Sequence, residues 1–350
     1  MKAPRFALSA ELVKLVGEID EFKGRWQALE RLSPDRLLAL RKVATIESIG
    51  SSTRIEGAKL SDVEVETLLS NLGRAAFASR DEEEVAGYAE AMDLVFEAWE
   101  DLRLTLNHVR QLHQTLLRHS ERDERHRGEW KTQPNHVVAF DARGRELGVV
   151  FETASPFDTP ARMEVLVEWT SRSLDERAMH PLLIVSTFVV TFLAIHPFQD
   201  GNGRLSRVLT TLLLLRAGYD YVPYVSLESV IEANKDLYYK ALRRTQGTLD
   251  DDAPDWEPWT GFFLRSLKKQ KDRLARKLEA DGPDGVEEND LPALSVQVIA
   301  ALARHGRRSG AELAESTGAN RSTLKLRLRE LVESGRVRRH GKGRATWYTL

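Results

Sequence analysis

The sequence predicts a mostly α-helical protein with one β-hairpin and a small second domain at its C-terminal end. Apolar residues recur at helical spacing through most of the first 280 positions. One strand-type segment interrupts that pattern between residues 135 and 151. An acidic stretch rich in Gly and Pro at residues 280–290 predicts a flexible linker before the last 60 or so positions.

The helices follow from periodicity and from start signals. Leu12, Leu15 and Ile19 lie at helical spacing near the N-terminus. Ser33-Pro34 is a cap followed by Pro at the first helical position, and Ser61 with Glu64 forms a capping box. Further helices are predicted over roughly 84–100, 105–118, 162–174, 182–195, 204–215, 227–246 and 256–279.

Composition excludes several classes of protein. The net charge of −2 argues against a chain that binds polyanions over its whole surface. The absence of cysteine excludes disulfides, thiolate catalysis and zinc sites built on Cys. The longest apolar stretch, about 14 residues from Leu182 to Ile195, is shorter than the roughly 20 that a membrane helix needs. We therefore expect a cytoplasmic protein that is not in a membrane.

The segment from His196 to Arg207, His-Pro-Phe-Gln-Asp-Gly-Asn-Gly-Arg-Leu-Ser-Arg, carries the chemistry. Glycines at the start of a helix expose backbone N–H groups at its positive end, which favours a phosphate. Arg204 and Arg207 share a helix face and can reach the same anion. Asp200 beside a phosphate suits Mg²⁺, and His196 can accept a proton near neutral pH.

Three alternatives compete with a phosphate site at this segment. Asp200-Gly-Asn-Gly203 alone is more often an ordinary turn with a helix cap. An EF-hand fails, because Leu205 stands where Gly is required and Thr211 where the final Glu belongs. No Gly-x-x-x-x-Gly-Lys-Ser/Thr pattern occurs, which excludes a P-loop nucleotide site.

The segment resembles the signature of the Fic family, His-Pro-Phe-x-Asp/Glu-Gly-Asn-Gly-Arg-x-x-Arg, at every fixed position. The resemblance extends over roughly residues 5–275 and implies a Fic-type helical bundle with a hairpin flap. It implies a protein adenylyltransferase, which moves AMP from ATP to a Ser, Thr or Tyr hydroxyl.

The resemblance also assigns roles to single residues. It implies that His196 is the general base, that Phe198 anchors the loop and that Asp200 holds Mg²⁺ against the α- and β-phosphates. The remaining positions would bind ATP: Gly201, Asn202 and Gly203 as an anion hole, and Arg204 and Arg207 at the outer phosphates. Such chemistry depends mainly on positioning and on charge stabilisation.

Two further segments match the family less closely. The hairpin at 135–151 resembles the flap that lays a target segment beside the site by strand pairing, although a plain structural hairpin would read the same way. Asn234 and Tyr238 resemble the helix on the adenosine side. For Tyr238, a place in the helix core or on its surface fits the sequence nearly as well.

The segment Ser52-Thr-Arg-Ile-Glu56-Gly57 resembles the family's inhibitory pattern, Ser/Thr-x-x-x-Glu-Gly/Asn. Taken alone, a Ser and a Glu at this spacing are usually a solvated pair. With the full signature elsewhere, the resemblance implies that Glu56 pairs with Arg207 and occupies the space that the γ-phosphate of ATP needs.

Residues 291–350 resemble a winged helix, with three helices followed by a β-wing. The third helix and the wing are rich in basic residues, a pattern typical of DNA binding. The candidate DNA contacts are Arg321, Lys325, Arg329, Arg339 and Lys342. A winged helix used for dimerisation or protein docking is the alternative.

The sequence thus predicts four regions: an N-terminal helical region with the inhibitory helix (1–110), a catalytic Fic domain (111–279), a linker (280–290) and a winged helix (291–350). The predicted function is a self-inhibited protein adenylyltransferase that uses ATP and Mg²⁺ on protein targets, including itself. The alternative is a DNA-binding regulator whose Fic region senses nucleotide or modifies only itself. Transfer of another nucleotide, removal of AMP and a homodimer all stay open.

Overall fold

The computed structural model describes residues 4–6, 9–28, 34–72, 77–140, 146–280, 293–333, 337–341 and 346–349. The chain divides into two compact units, Met1–Ala275 and Arg276–Leu350. The predicted linker lies outside the described residues except for Ala280, which ends a helix. The predicted boundaries at residues 110 and 279 stay predictions.

The first unit is a bundle of helices with one hairpin, as the sequence predicts. Its helices are α1 (Ala10–Ala28), α2 (Pro34–Ile55), α3 (Asp62–Ser70), α4 (Arg80–Ala98), α5 (Leu106–Leu116), α6 (Thr159–Asp175), α7 (Pro181–Ile195), α8 (Asn202–Arg216), α9 (Glu228–Glu232), α10 (Lys235–Gln246) and most of α11 (Glu257–Ala280), which continues past the boundary at Ala275, with a short 3₁₀ turn at Val222–Tyr224. No described helix has both the length and the apolar character needed to cross a bilayer.

Helices α7 and α8 form the centre of this unit. Both are buried on nearly every side, and α7 packs against α6, α8 and α10. Helix α8 also contacts α2, α4 and α5. A helix that is apolar all round is stable only when neighbours cover it on all sides. The loop that joins these two helices, residues 196–201, is therefore held by the core of the unit.

Helix starts and breaks follow local chemistry. The predicted capping box is present, since the Ser61 hydroxyl accepts from the N–H of Glu64 while the Glu64 carboxylate accepts from the N–H of Ser61.

The prediction of a single helix over 227–246 is wrong, because the segment forms two helices, α9 and α10, which are interrupted at Asn234. The Asn234 side chain donates to the carbonyl of Val230, a bond that competes with helical pairing.

The predicted hairpin is confirmed. Strands β1 (Val137–Phe140) and β2 (Glu146–Phe151) pair in antiparallel fashion, with Val138 opposite Val149. The turn at residues 141–145 lies outside the described part of the chain. The hairpin joins α5 and its following loop to α6.

The second unit contains three helices and a small antiparallel sheet. Its elements are α12 (Ala293–His305), β3 (Arg308–Ser309), α13 (Gly310–Thr317), α14 (Arg321–Glu333), β4 (Arg338–His340) and β5 (Trp347–Thr349), with strand order β3-β5-β4. Val298, Leu302, Leu313, Leu324 and Leu331 form its core. The predicted winged-helix order is confirmed; β3, only two residues long, has no signal in the sequence.

Candidate active site

His196 ends α7 in an uncommon backbone conformation. Its φ of 54° and ψ of 60° lie in the left-handed region, which non-glycine residues seldom adopt. Its N–H still donates to the carbonyl of Phe192, 2.8 Å away. The chain therefore leaves the helix sharply at His196, and the ring projects from the end of a buried element.

The His196 ring has a defined proton arrangement. Its Nδ1 lies 3.2 Å from the carbonyl oxygen of Leu193, which can only accept, so Nδ1 carries the proton. Nε2 is left with a lone pair. Burial lowers the pKa of His196 to about 4, so the ring is neutral at pH 7. A neutral ring with an unpaired Nε2 can take a proton from a hydroxyl group.

The start of α8 presents free backbone donors. Gly201 precedes the helix with a φ of 77°, which a glycine adopts readily. The Gly201 N–H donates to the Asp200 carboxylate, 2.7 Å away. Within the described chain, the N–H groups of Asn202 and Gly203 have no acceptor. Two donors at the positive end of a buried helix can bind an anion such as a phosphate.

Asn202 and Phe198 fix the shape of the loop. The Asn202 side-chain oxygen accepts from the N–H of Phe198 at 2.9 Å, and its amide donates to the Phe198 carbonyl at 2.6 Å. The Phe198 ring is fully buried, stacked on His113 and in contact with Trp130. The Asn202 side chain therefore holds the loop closed, and its contribution to an anion site comes from its backbone.

His113 on α5, which no sequence motif marks, packs against the loop at Phe198 and Asp200. The ring is fully buried; its Nδ1 accepts from the N–H of Gly128 at 2.8 Å. The proton is therefore on Nε2, which donates to the carbonyl of Asp200 at 3.0 Å. Burial lowers the pKa of His113 to about 4. The only signal in the sequence was a histidine on the apolar stripe of a predicted helix.

Asp200 lies in a network of alternating charges. Its Oδ2 accepts from Arg80 at 2.9 Å and from Arg204 at 3.4 Å, and both arginines also pair with Glu84. Burial opposes ionisation of Asp200, but Arg204, the N–H of Gly201 and Arg80 outweigh it and lower the pKa of the carboxyl group. The carboxylate is therefore charged at neutral pH, and Arg80 and Glu84 join the site from α4.

Arg204 and Arg207 contact different partners. Arg204 is 2% exposed and turns toward Asp200 and Glu84. Arg207 is 4% exposed and turns toward α2. Its guanidinium donates to the Ser52 hydroxyl at 2.8 Å, to the Ser52 carbonyl at 2.9 Å and to the Glu56 carboxylate at 2.8 Å.

Glu56 lies between Arg207 and the start of α8. Burial works against the charge of Arg207, but Glu56 outweighs it and raises the pKa of the guanidinium. The Glu56 carboxylate also packs so closely on the backbone of Gly203 that a side chain at position 203 would force the carboxylate to move. A carboxylate therefore occupies the positive end of α8, where an anionic ligand would bind.

Arg54 fixes the end of α2 that carries Glu56. Its guanidinium makes two parallel bonds to Glu232 on α9, at 2.7 and 3.0 Å. It also donates to Asp62 and to the carbonyl of Leu60, each at 2.9 Å. A bidentate arginine–carboxylate pair is directional, so it ties the last turn of α2, just before Glu56, to α9.

A pocket of about 280 Å³ joins these groups. It brings together most of the predicted site residues: Glu56, His196, Asp200, Gly201, Asn202, Gly203, Arg204 and Tyr238. Its other walls come from the end of α7, from His136 and Phe151 at the hairpin, and from Tyr239, Leu242, Arg243 and Gln246 on α10. Arg207 and Ser52 lie behind Glu56 and do not line it. Asn234 does not line it either; its side chain is bound to Val230 and Lys269.

The candidate DNA contacts lie in the second unit. Lys325 and Arg329 are exposed on α14, and Arg339 is exposed on β4. The side chain of Arg321 and the whole of Lys342 lie outside the described residues. Leu326, between two basic residues of α14, is 52% exposed.

Two family models match the chain. Residues 103–214, which include the His196 loop, match the Fic/DOC family. Residues 293–338 match a winged helix-turn-helix DNA-binding family. The two matches lie in different compact units.

Curated relatives carry the name protein adenylyltransferase Fic. The chain is 28% identical to the Drosophila mojavensis protein over 60% of its own length and 40% of the relative. It is 25% identical to the Drosophila virilis protein over 88% of its own length and 59% of the relative. The chain thus spans about 40 to 60% of the length of these relatives.

Solved structures share the fold. A Fic family protein from Desulfovibrio desulfuricans is 24% identical, with a TM-score of 0.64 over 99% of this chain and 98% of that one. A Fic domain-containing signaling protein from Bacteroides thetaiotaomicron is 25% identical, with a TM-score of 0.60 over 73% of this chain and 94% of that one. Residues 103–214 therefore form a domain of the Fic/DOC type, and residues 293–338 belong to a winged helix-turn-helix domain.

Proposed function

We propose that the protein transfers AMP from ATP to Ser, Thr or Tyr hydroxyls of proteins, itself included. The observation that carries the proposal is one pocket that holds a neutral imidazole with an unpaired Nε2 and a helix start with two free N–H groups. The name shared by the curated relatives, protein adenylyltransferase, supports this choice of reaction.

The chain's residues would act on the hydroxyl and on the phosphates. His196 Nε2 takes the hydroxyl proton as the hydroxyl oxygen attacks the α-phosphorus. The bond between that phosphorus and the bridging oxygen breaks, and pyrophosphate leaves. The N–H groups of Asn202 and Gly203 stabilise the charge on the phosphate oxygens, as fixed dipoles do in other phosphoryl transfers.

Asp200 is the residue that would hold Mg²⁺. Among the described residues no group of three or more acidic or histidine side chains forms a ready metal site. A single carboxylate fits Mg²⁺ only when phosphate oxygens and water supply the other ligands. The Asp200 carboxylate is charged and 38% exposed, so it fits a cation that arrives with the nucleotide. The metal would neutralise charge on the phosphates.

The adenosine side of the nucleotide would lie against α10. Tyr238 lines the pocket, as do Tyr239 and Leu242 further along the helix. Aromatic and aliphatic walls suit a purine ring. A role for Asn234 would require it to leave the Val230 carbonyl.

The hairpin would present the target. Among the described strands β1 pairs only with β2, so each has an outer edge that no strand covers. A target segment could add to such an edge through main-chain hydrogen bonds. Phe151 and His136 at the base of the hairpin line the pocket, which would place the target hydroxyl near His196.

Glu56 would keep the resting enzyme switched off. It neutralises Arg207 and occupies the anion position over Gly203. An ATP γ-phosphate needs the same guanidinium, so bound ATP would be displaced and its α-phosphate misaligned. Self-inhibition would thus depend on the Glu56 carboxylate, which follows the helix that Arg54 ties to Glu232.

The transferred group identifies the reaction. We expect the Glu56→Gly protein to label itself with ATP carrying a label on the α-phosphate, but not with ATP labelled on the γ-phosphate. His196→Ala in the same background should lower labelling at least 100-fold, because it removes the general base. Transfer of the γ-label, or no labelling at all, would contradict an AMP-transferase. Mass spectrometry of a lysate treated with Glu56→Gly and ATP would then find other targets.

DNA binding by the second domain is a second proposal. It is supported by the match to a DNA-binding family and by the exposed basic side chains of Lys325 and Arg339. The Fic domain would then transfer AMP at the place on the DNA where the protein is bound, or it would serve only to regulate DNA binding. The lack of cysteine suits either role in a cytoplasm.

A mobility-shift assay tests this proposal. We expect a random-sequence duplex to be shifted in low salt, with binding that weakens as salt rises. The double change Lys325→Glu and Arg339→Glu should reduce the magnitude of the slope of log affinity against log salt by about 2, since each of these basic side chains neutralises one phosphate. The double change Lys14→Glu and Arg25→Glu, at exposed positions of α1, is an equal charge reversal in the first unit; it is the control and should bind normally. Absence of any shift for the wild-type chain would leave docking or dimerisation as the role.

A further inference from the structure

Four successive carbonyl groups, those of residues 195–198 at the end of α7 and the start of the loop, are all bound by one short segment, residues 131–135. The Lys131 ammonium donates to the carbonyl of Ile195 at 3.0 Å, and the Lys131 N–H donates to that of Pro197 at 2.8 Å. The Asn135 amide donates to the carbonyls of His196 at 3.2 Å and Phe198 at 2.6 Å. Among the described residues, the only other side chain that binds one of these four carbonyls is Asn202, at Phe198.

The bound carbonyls lie on either side of the strained residue. His196 adopts left-handed angles that its side chain disfavours, so surrounding bonds must hold it there. Lys131 binds the carbonyl before it, and Asn135 binds its own carbonyl. Loss of these bonds would let the peptide relax and turn the imidazole away from the pocket.

Lys131 is an unusual residue to find buried beside a loop. It is 2% exposed, and the described chain offers it no carboxylate partner. Its three N–H donors are satisfied instead by Asn135, Thr153 and Ile195, at 2.8 to 3.0 Å. A buried cation without a counter-charge is costly, and a purely structural role could be filled by an apolar side chain.

The same cluster joins both ends of the hairpin. Asn135 precedes β1 and Thr153 follows β2. The Thr153 hydroxyl donates to the Asn135 side-chain oxygen at 3.0 Å and accepts from Lys131 at 2.9 Å. The base of the hairpin and the His196 loop are therefore parts of one hydrogen-bonded unit.

We propose that Lys131 and Asn135 are positioning residues, which hold His196 in its left-handed conformation and fix the base of the hairpin against it. The proposal rests on the proposed AMP transfer. Neither residue touches the reacting atoms; each acts through the loop backbone. The segment thereby sets the distance between a hydroxyl presented on the hairpin and the imidazole that must deprotonate it.

Asn135→Asp in the Glu56→Gly background tests the proposal. Aspartate keeps the oxygen that accepts from Lys131 and Thr153 but loses both bonds to the loop. We expect kcat for self-labelling to fall about 10- to 100-fold, as for other small misplacements of a catalytic group. The Kd for ATP should stay within about threefold, because the start of α8 is unaffected. Asn135→Ala, which adds no charge, should lose kcat in the same way.

Asn71→Asp in the same background is the matched control. The Asn71 amide also donates to a backbone carbonyl, that of Thr67 at 2.8 Å, but at the exposed end of α3, so kcat should stay within about threefold of the parent. Unchanged kcat in Asn135→Asp and Asn135→Ala would overturn the proposal. A loss of ATP affinity as large as the loss of kcat would also overturn it, since the residues would then support the pocket as a whole.

A second measurement separates this proposal from the proposed function. The backbone ¹³C shifts of His196, in protein labelled at histidine and assigned with His196→Ala, report its φ and ψ. In Glu56→Gly these ¹³C shifts should have the values of a left-handed residue. In Asn135→Asp in the same background they should no longer have those values. If Glu56→Gly transfers nothing, AMP transfer fails while this measurement still decides the positioning role. A left-handed His196 that persists in Asn135→Asp would refute it.

Discussion

Histidine does two different jobs in this site, and the hydrogen-bond partners decide which. His196 bonds through Nδ1 to a carbonyl and leaves Nε2 free for chemistry. His113 uses both nitrogens, one for the N–H of Gly128 and one for the carbonyl of Asp200. The sequence predicted the first from its motif. It could not predict the second, because a histidine on an apolar stripe has no local mark of its partners.

His113 should make stability depend on pH. Its pKa is about 4 when folded and about 6.5 when exposed, so the unfolded chain holds more protons between those values. Its contribution is therefore fully present above pH 6.5 and declines as the pH falls toward 4, with a slope of about 1.4 kcal/mol per pH unit.

Urea unfolding of wild type and His113→Gln at pH 6.5, 5.5 and 4.5 measures this effect. The variant should be less stable at pH 6.5, since it loses the stacking on Phe198. Its free energy of unfolding should fall less steeply with pH than that of the wild type. Equal slopes in the two proteins would show that His113 keeps an ordinary pKa.

At the scale of elements, periodicity and caps predicted most helices, because a buried helix needs apolar residues at fixed spacing. The missed break between α9 and α10 shows the limit of that method. Asn234 fits a helical pattern, yet its side chain binds the Val230 carbonyl and ends the pairing. Strand β3 has no pattern at all, since a two-residue strand depends entirely on the partner it meets.

The segment 131–135 shows a second limit. Nothing in the sequence marks Lys131 as buried, and lysine is among the residues least often found inside a protein. Its position follows from tertiary contacts with Ile195 and Thr153, which lie 64 and 22 residues away in the chain. Motifs report residues that touch a ligand; residues that hold the motif in shape are visible only in the fold.

At the scale of the whole molecule, the chain combines a Fic domain with a winged helix-turn-helix domain. Glu56 follows the end of α2, about 140 residues before His196 in the chain. Its contact with Arg207 was predicted from the resemblance of two separate motifs, and the fold places the two side chains 2.8 Å apart. The bidentate ion pair between Arg54 on α2 and Glu232 on α9 was not predicted.

Inhibition of AMP transfer by Glu56 is the proposal to which the two motifs lead. The most direct test is the initial rate of self-labelling from ATP carrying the α-label, in wild type, Glu56→Gln and Glu56→Gly. We expect the rate to rise in that order, because Gln removes the charge at Arg207 while Gly also clears the space over Gly203. The full gain from wild type to Glu56→Gly should be at least about tenfold, the effect of roughly 1.4 kcal/mol. Equal rates in all three proteins would contradict the account.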